Sequence, residues 1–137
     1  MLRGRPALVM VILCQVCLLA PKSAAGLRSL DVIKRVQLLI REAPKKVSLK
    51  SRLYTPTMAD FQQNCPSSTL KCFAAEVKVL DDEWKTRRLN VSHMLEVLAA
   101  SFNQAESGCR QCECFDEETA EEFLKVLLST LQNANSL

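Results

Sequence analysis

Cysteine is the residue type in this chain that offers the widest range of chemistry. Seven cysteines are present, and the last five are Cys65, Cys72, Cys109, Cys112 and Cys114. Four thiolates could hold a zinc ion, or the same side chains could pair as disulfides. The Cys109-x-x-Cys112 spacing also occurs in redox sites, but these accompany a βαβ unit, and the sequence shows no alternating strand pattern. The compartment in which the chain folds therefore decides between zinc and disulfides.

The other polar residues do not form a catalytic set. His93 is the single histidine, so neither a Ser-His-Asp triad nor a metal site with several histidines can be assembled. The adjacent acids Glu117-Glu118 and Glu121-Glu122 could act as acid and base only inside an enclosed site. They are better explained as the solvated first turns of a helix, where negative charge is favourable. The sequence predicts no enzyme, no catalytic residue, no metal site and no cofactor.

Residues 1–25 have the features of a secretory signal peptide. Two arginines precede an apolar run from Ala7 to Ala20, and small residues follow up to Gly26, which is the order found in such leaders. The run of about 14 residues would extend about 21 Å as a helix, too short for a ~30 Å hydrocarbon core. We expect cleavage after Ala25. Residues 26–137 would then form a secreted, extracellular domain that is not inserted in a membrane.

Removal of this leader changes both the charge and the cysteine count. Arg3, Arg5 and Lys22 leave with it, so 18 basic residues become 15 and balance the 15 acidic ones. A chain without a basic surplus is poorly suited to binding phosphates, which excludes nucleic acid as a partner. Cys14 and Cys17 also leave. An oxidising pathway favours disulfides among the remaining five cysteines, one of which has no partner within the chain.

Two amphipathic helices are predicted in the first part of this domain. The first runs from Leu27 to Ala43 and ends at Pro44, because proline lacks an amide donor and disfavours helix in the residue before it. The second opens at Ser67-Ser68-Thr69, which are good N-cap residues, and extends to Trp84. Its apolar residues recur at alternating spacings of three and four, and they are Leu70, Phe73, Val77, Leu80 and Trp84.

Two further helices are predicted in the second part. The third starts at Leu89 and ends near Asn103, and a turn-forming segment from Glu106 to Cys114 follows it. The apolar side of the fourth extends from Phe115 to Leu131, and its first turns are acidic. The link from Lys45 to Pro66 exceeds 20 residues, enough to cross the length of a bundle. Four amphipathic helices in one small domain predict an all-α four-helix bundle.

Asn90-Val91-Ser92 is an N-glycosylation acceptor triplet, which has meaning in a secreted chain. Such triplets also occur by chance, so the spacing alone does not decide whether a glycan is attached. We expect Asn90 to be a glycosylation site.

Four blocks of the sequence carry a resemblance to a known family: Leu53-Tyr-Thr55, Cys65 with Leu70-Lys-Cys-Phe73, Glu106-Ser-Gly-Cys-Arg-Gln-Cys-Glu113, and Glu122-Phe-Leu124. They are similar to the corresponding blocks of the interleukin-15 family of cytokines. The likeness covers most of the expected mature chain. It is strong in the second helix and from Glu106 onward, and weak in the first and third helices. The four-cysteine pattern with Glu-Ser-Gly-Cys is specific, whereas helical periodicity alone is not.

The resemblance implies a fold and a disulfide pattern. The fold is a short-chain cytokine bundle with up-up-down-down topology, which agrees with the long first link. The disulfides are Cys65 to Cys109 and Cys72 to Cys112. Spacing alone allows three pairings of these four cysteines, so this choice rests on the resemblance. Cys114 lies outside the pattern and is free, capped or paired between chains.

The resemblance also implies receptor contacts. Members of the family are presented by the interleukin-15 receptor alpha chain, and they stimulate lymphocytes through the interleukin-2 receptor beta chain and the common gamma chain. An acidic patch around one aromatic and one aliphatic residue would meet arginines on the alpha chain. The matching positions are Tyr54, Glu76, Val79, Glu83 and Glu113.

The other two receptor chains have fewer matching positions. For the beta chain, Asp31 lies about one position from the family's acidic contact on the first helix, and His93 stands where the family has an asparagine on the third. For the gamma chain, Gln132 matches a glutamine on the fourth helix. The chain would then act by bringing receptor chains together, with no chemistry of its own.

Two other interpretations fit the sequence. A secreted helical carrier of an apolar ligand would need a cavity within the bundle. Another branch of the same cytokines, such as interleukin-21 or interleukin-2, would share the bundle. The single short leader and Cys114 favour an interleukin-15-like branch over interleukin-15 itself.

Overall fold

The computed structural model describes residues 29–46, 52–63, 65–102 and 106–135. Residues 29–42 are helical and form α1. The other helices and strands are α2 (Met58–Gln62), α3 (Pro66–Trp84), α4 (Val91–Ala100), α5 (Ala120–Asn135), β1 (Arg52–Tyr54) and β2 (Glu117–Thr119). Short 3₁₀ turns occur at Ala43–Lys46, Arg87–Leu89 and Cys112–Cys114. The predicted leader, 1–25, and its cleavage site lie outside the described residues.

The apolar stripes of the four longer helices meet in one core. On α1, Val32, Val36 and Leu39 are fully buried, as predicted from their spacing. The rings of Phe73 on α3 and Phe123 on α5 lie 5.5 Å apart, a tilted arrangement that aromatic pairs favour. The predicted fold class, an all-α four-helix bundle tied by disulfides, is confirmed. The other fully buried large side chains are Leu53, Leu70, Leu80, Leu95, Leu124, Leu127 and Leu131.

The ends of the helices differ from the prediction at three places. Helix α3 begins with Pro66 at a first-turn position, where its fixed φ suits the helix, and no N-cap is formed by Ser67-Ser68-Thr69. Helix α4 begins at Val91 rather than Leu89, because Asn90 has a φ of 58° and a left-handed residue interrupts an α-helix. Helix α5 begins at Ala120 rather than Phe115.

Two short strands are absent from the prediction. Strands β1 and β2 pair antiparallel, with Leu53 opposite Glu118 and Tyr54 opposite Glu117. Each strand has three residues, which is too short for an alternating pattern to be recognised. The acids before Ala120 therefore belong largely to a strand, and only Glu121 and Glu122 occupy the first turn of α5.

Two disulfides tie the first half of α3 and the residue before it to the segment that precedes β2. Cys65 is bonded to Cys109, and Cys72 is bonded to Cys112, with Cα atoms 5.9 and 5.3 Å apart. These are the pairs that the resemblance implies. Because the four sulfurs are joined in pairs, they are not available as zinc thiolates. Cys114 is free and exposed.

Candidate functional site

One side of α3 carries exposed residues of mixed character. Glu76, Val79 and Glu83 are separated by three and four residues, so they follow one another along the same side of the helix. Val79 is 45% exposed, whereas Val77 and Leu80 on the core side are fully buried. Val79 is thus an exposed apolar side chain that lies between two glutamates on the outer side of α3.

Strand β1 brings Tyr54 against this side of α3. Leu53 is fully buried and anchors the strand in the core. The next residue, Tyr54, is half-buried, and its backbone N–H donates a hydrogen bond of 2.8 Å to Oε2 of Glu76. This bond holds the Glu76 carboxylate beside the strand pair. The aromatic residue and the first glutamate of the predicted set are therefore neighbours.

The disulfide between Cys72 and Cys112 brings Glu113 to the same place. Cys72 lies one helical turn before Glu76 on α3, and Glu113 directly follows Cys112 in a 3₁₀ turn. The Glu113 charge acts on Glu76, although 37 positions separate the two residues in the sequence. We call the surface formed by Tyr54, Glu76, Val79, Glu83 and Glu113 the acidic face.

The electrostatics of the acidic face centre on Glu76. Partial burial raises the pKa of the Glu76 carboxyl above its ordinary value; the Tyr54 N–H opposes this rise, and the nearby Glu113 and Glu117 carboxylates add to it. Glu117 has a partial counter-charge, since Arg52 Nη2 donates to its backbone carbonyl at 2.8 Å and Arg52 Nε lies 4.0 Å from its carboxylate. Negative charge is thus concentrated around Glu76.

Asp60, on α2, has a different environment. Its carboxylate accepts hydrogen bonds from Arg110 Nε at 3.2 Å and Arg110 Nη2 at 2.7 Å, and it also contacts the Thr57 hydroxyl. The guanidinium of Arg110 lies 4.6 Å above the ring of Phe115. The hydrogen bond from Arg110 lowers the pKa of Asp60, against a smaller opposing effect of burial. This carboxylate holds the loop before β2 against α2.

The two residues expected at the beta chain lie on elements that are tied together. Asp31 is exposed on α1 and forms an ion pair with Arg35 at 3.4 Å. Arg35 also donates through Nη1 to the backbone carbonyl of Leu89 at 2.6 Å. His93 is exposed on α4, four positions after Leu89. We call Asp31, Arg35 and His93 together the α1–α4 face.

The remaining predicted positions are both exposed. Gln132 lies on the outer side of α5, next to the fully buried Leu131. Asn90 lies between the 3₁₀ turn Arg87–Leu89 and α4, with its backbone N–H bonded to the Arg87 carbonyl at 2.9 Å. Gln132 and Asn90 thus occupy elements separate from the acidic face.

Glu106 has a structural role that sequence reasoning missed. Its two carboxylate oxygens accept hydrogen bonds from the backbone N–H groups of Ser67 and Ser68, at 2.7 and 2.9 Å. The carboxylate therefore caps α3 from 39 positions away in the chain, in the position where negative charge is most favourable. A capping signal is recognised within a few residues of a helix start, so no local pattern could identify this one.

The described residues contain neither a metal-binding cluster nor a membrane-spanning helix. Among the described residues, no group of three or more His, Cys, Asp or Glu side chains is arranged to hold a metal ion. Within the same ranges, no helix combines the length and the apolar character needed to cross a bilayer.

Comparison with known proteins assigns this architecture to a family. A family model described as "Interleukin 15" matches residues 9–134. The chain belongs to the interleukin-15 family. Its interleukin-15 homologues are cytokines and not enzymes.

Individual interleukin-15 proteins are similar over most of this chain. The interleukin-15 of Mus musculus is 30% identical over 106 residues, which cover 73% of this chain and 62% of the mouse protein. The interleukin-15 of Oryctolagus cuniculus is 29% identical over 119 residues, covering 82% of this chain and 70% of the rabbit protein. That of Cavia porcellus is 29% identical over 121 residues, with the same coverage. This chain thus spans less than two thirds of the mouse protein.

Proposed function

We propose that this chain is a secreted cytokine that binds the interleukin-15 receptor alpha chain through the acidic face and bridges it to two signalling receptors. The interleukin-2 receptor beta chain would bind the α1–α4 face, and the common gamma chain would bind α5 around Gln132. Signalling to lymphocytes would follow from bringing the receptor tails together. Secretion is supported by the leader-like sequence of residues 1–25.

The proposal rests most directly on the composition of the acidic face. The half-buried Glu76 lies near the Glu113 and Glu117 carboxylates, which raise its pKa, and the exposed Val79 follows it on the same side of α3. Such a surface is complementary to a partner with arginines around an apolar socket. Tyr54 adds an aromatic ring at the edge, the kind of side chain that contributes most to binding energy in interfaces.

The geometry also supports a face that is preorganised. Glu76 is held by the backbone of β1, and Glu113 is held by the disulfide to α3. Side chains that are already fixed lose less conformational entropy on binding, so more of their interaction energy appears as affinity. We therefore expect Tyr54, Glu76 and Glu113 to contribute to binding together.

The support for the other two receptor sites is chemical. On the α1–α4 face, the ion pair between Asp31 and Arg35 is solvent-exposed, so little free energy is lost if Asp31 changes partner on binding. His93 offers a donor and an acceptor on the neighbouring helix. Gln132 lies exposed beside the core residue Leu131 and offers an amide that can donate and accept.

The test of the alpha-chain site is direct binding. The mature chain, with both disulfides formed, would be titrated against the isolated alpha-chain ectodomain by surface plasmon resonance. We expect Tyr54→Ala and Glu113→Lys each to weaken binding at least about tenfold, about 1.4 kcal/mol or more. The association rate should fall as salt is raised, because exposed charges are screened.

A matched control tests whether position matters as well as charge. Glu96 is an exposed acid on α4, which packs on the Ala74 side of α3, away from Glu76. Glu96→Lys makes the same charge change as Glu113→Lys and should alter alpha-chain affinity by less than about twofold. Equal losses in both variants would indicate a general charge effect and not a face. Absence of binding by a folded, correctly bridged chain would reject the alpha-chain assignment.

A further inference from the structure

The acceptor triplet at Asn90 is divided between surface and core. Asn90 is exposed, and its side chain makes no capping bond at the start of α4. Val91 is fully buried, and Ser92 is only 8% exposed. The Ser92 hydroxyl donates a 2.7 Å hydrogen bond to the backbone carbonyl of Ala74 on α3. The asparagine amide is therefore open to solvent, whereas the hydroxyl of the same triplet is used in the contact between two helices.

This division matters because glycosylation depends on the third residue as well as the first. The acceptor sequence requires serine or threonine at that position, so an enzyme must reach the Ser92 hydroxyl while it acts on Asn90. Reaching it in the folded chain would require α4 to separate from α3 at Ala74. The triplet is thus accessible before the two helices pack together and closed afterwards.

A glycan at Asn90 would also lie beside the α1–α4 face. Asn90 and His93 line the same open cavity of about 380 Å³, together with Lys78 and Glu96. The residue before Asn90, Leu89, accepts the hydrogen bond from Arg35 that ties α1 to this region. An N-linked glycan is bulky and hydrated, and it would project beside the positions expected to contact the beta chain.

We infer that Asn90 accepts an N-linked glycan only before α4 packs against α3, and that this glycan then hinders the beta chain at the α1–α4 face. In the reaction, the Asn90 amide nitrogen forms a bond to the anomeric carbon of a lipid-pyrophosphate-linked oligosaccharide. The bond from that carbon to the pyrophosphate oxygen breaks, the lipid pyrophosphate leaves, and the amide loses one proton. The second half of the inference rests on the proposed beta-chain site.

The first half is tested by transfer to the purified chain in two states. One sample is folded and bridged; the other is reduced, blocked at its cysteines and shown to be unfolded by circular dichroism. Both receive an oligosaccharyltransferase and a lipid-pyrophosphate-linked oligosaccharide, and intact mass measures the product. We expect glycosylation of the unfolded chain only. Asn90-Val-Ser92 is the single such triplet in the sequence, so any mass gain assigns the site.

The control variant for this test is Asn90→Asp. Aspartate tolerates the left-handed conformation at this position but cannot accept the sugar, so no mass gain is expected in either state. Equal transfer to the folded and unfolded native chains would overturn the requirement for an open triplet. Failure of the unfolded chain to accept a glycan would overturn Asn90 as a site.

The second half is tested with chain secreted by mammalian cells. Glycosylated and unglycosylated forms would be separated and titrated against the beta-chain and alpha-chain ectodomains, with Asn90→Asp beside them. We expect the glycosylated form to bind the beta chain at least about tenfold more weakly, and all forms to bind the alpha chain within about twofold.

The two possible failures are distinguishable. Equal beta-chain binding by both glycoforms would overturn the masking effect while the beta-chain site stands. If neither glycoform nor Asn90→Asp binds the beta chain, the beta-chain site itself is wrong and the masking effect fails with it. Equal binding of all forms to the alpha chain would show that the samples are folded.

Discussion

Asp60 and Glu76 are both partly buried carboxylates near the segment that carries β1, but their surroundings are opposite in sign. Asp60 is paired with Arg110 of the same chain, and this contact lowers its pKa. Glu76 is partly desolvated beside Glu113 and Glu117, and its pKa is raised. An acid whose counter-charge lies within the chain stabilises the chain. An acid that is desolvated among other acids is disfavoured in its charged form.

The largest effect that separates these two acids is expected in binding. Glu76→Lys places a positive charge at the centre of the acidic face and should weaken alpha-chain binding at least about 100-fold, since disturbing a charged contact in an interface costs ~2–5 kcal/mol. Titration against the alpha-chain ectodomain measures it. Glu76→Gln keeps an acceptor for the Tyr54 N–H and should cost less.

Asp60→Asn is the matched comparison for Glu76→Gln, because each removes one negative charge from a partly buried side chain. We expect Asp60→Asn to change alpha-chain affinity by less than about threefold, with its main effect on the stability of the loop that carries Arg110. If the two variants weakened binding equally, the distinction between an internally paired acid and a partner-facing acid would be wrong.

The next effect concerns the disulfide that brings Glu113 to α3. Replacing Cys72 and Cys112 together by serine should reduce the free energy of unfolding by about 2–4 kcal/mol, because the unfolded chain regains conformational freedom. Denaturant unfolding measures this loss. The same variant should lower alpha-chain affinity at a temperature where it is still folded, because Glu113 is no longer held beside Glu76. Unchanged affinity would show that Glu113 needs no such positioning.

A smaller effect is expected at Glu106, a third carboxylate that acts within the chain. Glu106→Ala removes both acceptors for the Ser67 and Ser68 N–H groups and should reduce the free energy of unfolding by about 1–2 kcal/mol. Glu106→Gln keeps one side-chain acceptor and should lose less. Chemical unfolding of the two variants gives the order. A larger loss for the glutamine variant would argue against capping as the role of Glu106.

The smallest effect is the pH dependence of stability, which should have opposite signs at the two acids. The pKa of Glu76 is higher in the folded chain than its ordinary 4.5, so through this residue folding is favoured as the pH falls from neutral through that raised pKa towards 4.5. The pKa of Asp60 is lower than its ordinary 3.8, so its contribution is present above 3.8 and is lost as the pH falls through the lowered value.

Difference measurements isolate these contributions from those of other groups. Thermal unfolding of Glu76→Gln and Asp60→Asn would be compared with the parent chain at several pH values. The difference in the free energy of unfolding between the parent and Glu76→Gln should change with pH above about pH 4.5. The corresponding difference for Asp60→Asn should change with pH below about pH 4. If both differences changed in the same direction on acidification, the environments described for Glu76 and Asp60 would be wrong.

Sequence reasoning was most successful where the signal is local and periodic. The stripe from Leu70 to Trp84 predicted α3, and residues 29–42 form the first helix up to the turn at Pro44. The prediction of where helices start was less successful. The serines near the start of α3 are bonded to Glu106, and the acids before Ala120 pair with β1, because contacts with distant residues competed with local preference.

The residues of the acidic face were named from the sequence through resemblance, but their arrangement was not. Glu76, Val79 and Glu83 share one side of a helix, and helical spacing alone predicts this. Tyr54 and Glu113 join them only because a three-residue strand pair and one disulfide cross the molecule. Spacing left the disulfide pairing open, since several pairings of four cysteines are compatible with any sequence.

The sequence by itself determined the helical class, the apolar side of each long helix, the absence of a histidine-based catalytic set and the presence of an acceptor triplet at Asn90. The tertiary structure decided which acids have a counter-charge, which distant carboxylate caps α3, and that the Ser92 hydroxyl is enclosed between two helices. The division has a physical reason: periodicity and composition are properties of neighbouring residues, whereas desolvation, ion pairing and long-range hydrogen bonds depend on groups that only folding brings together.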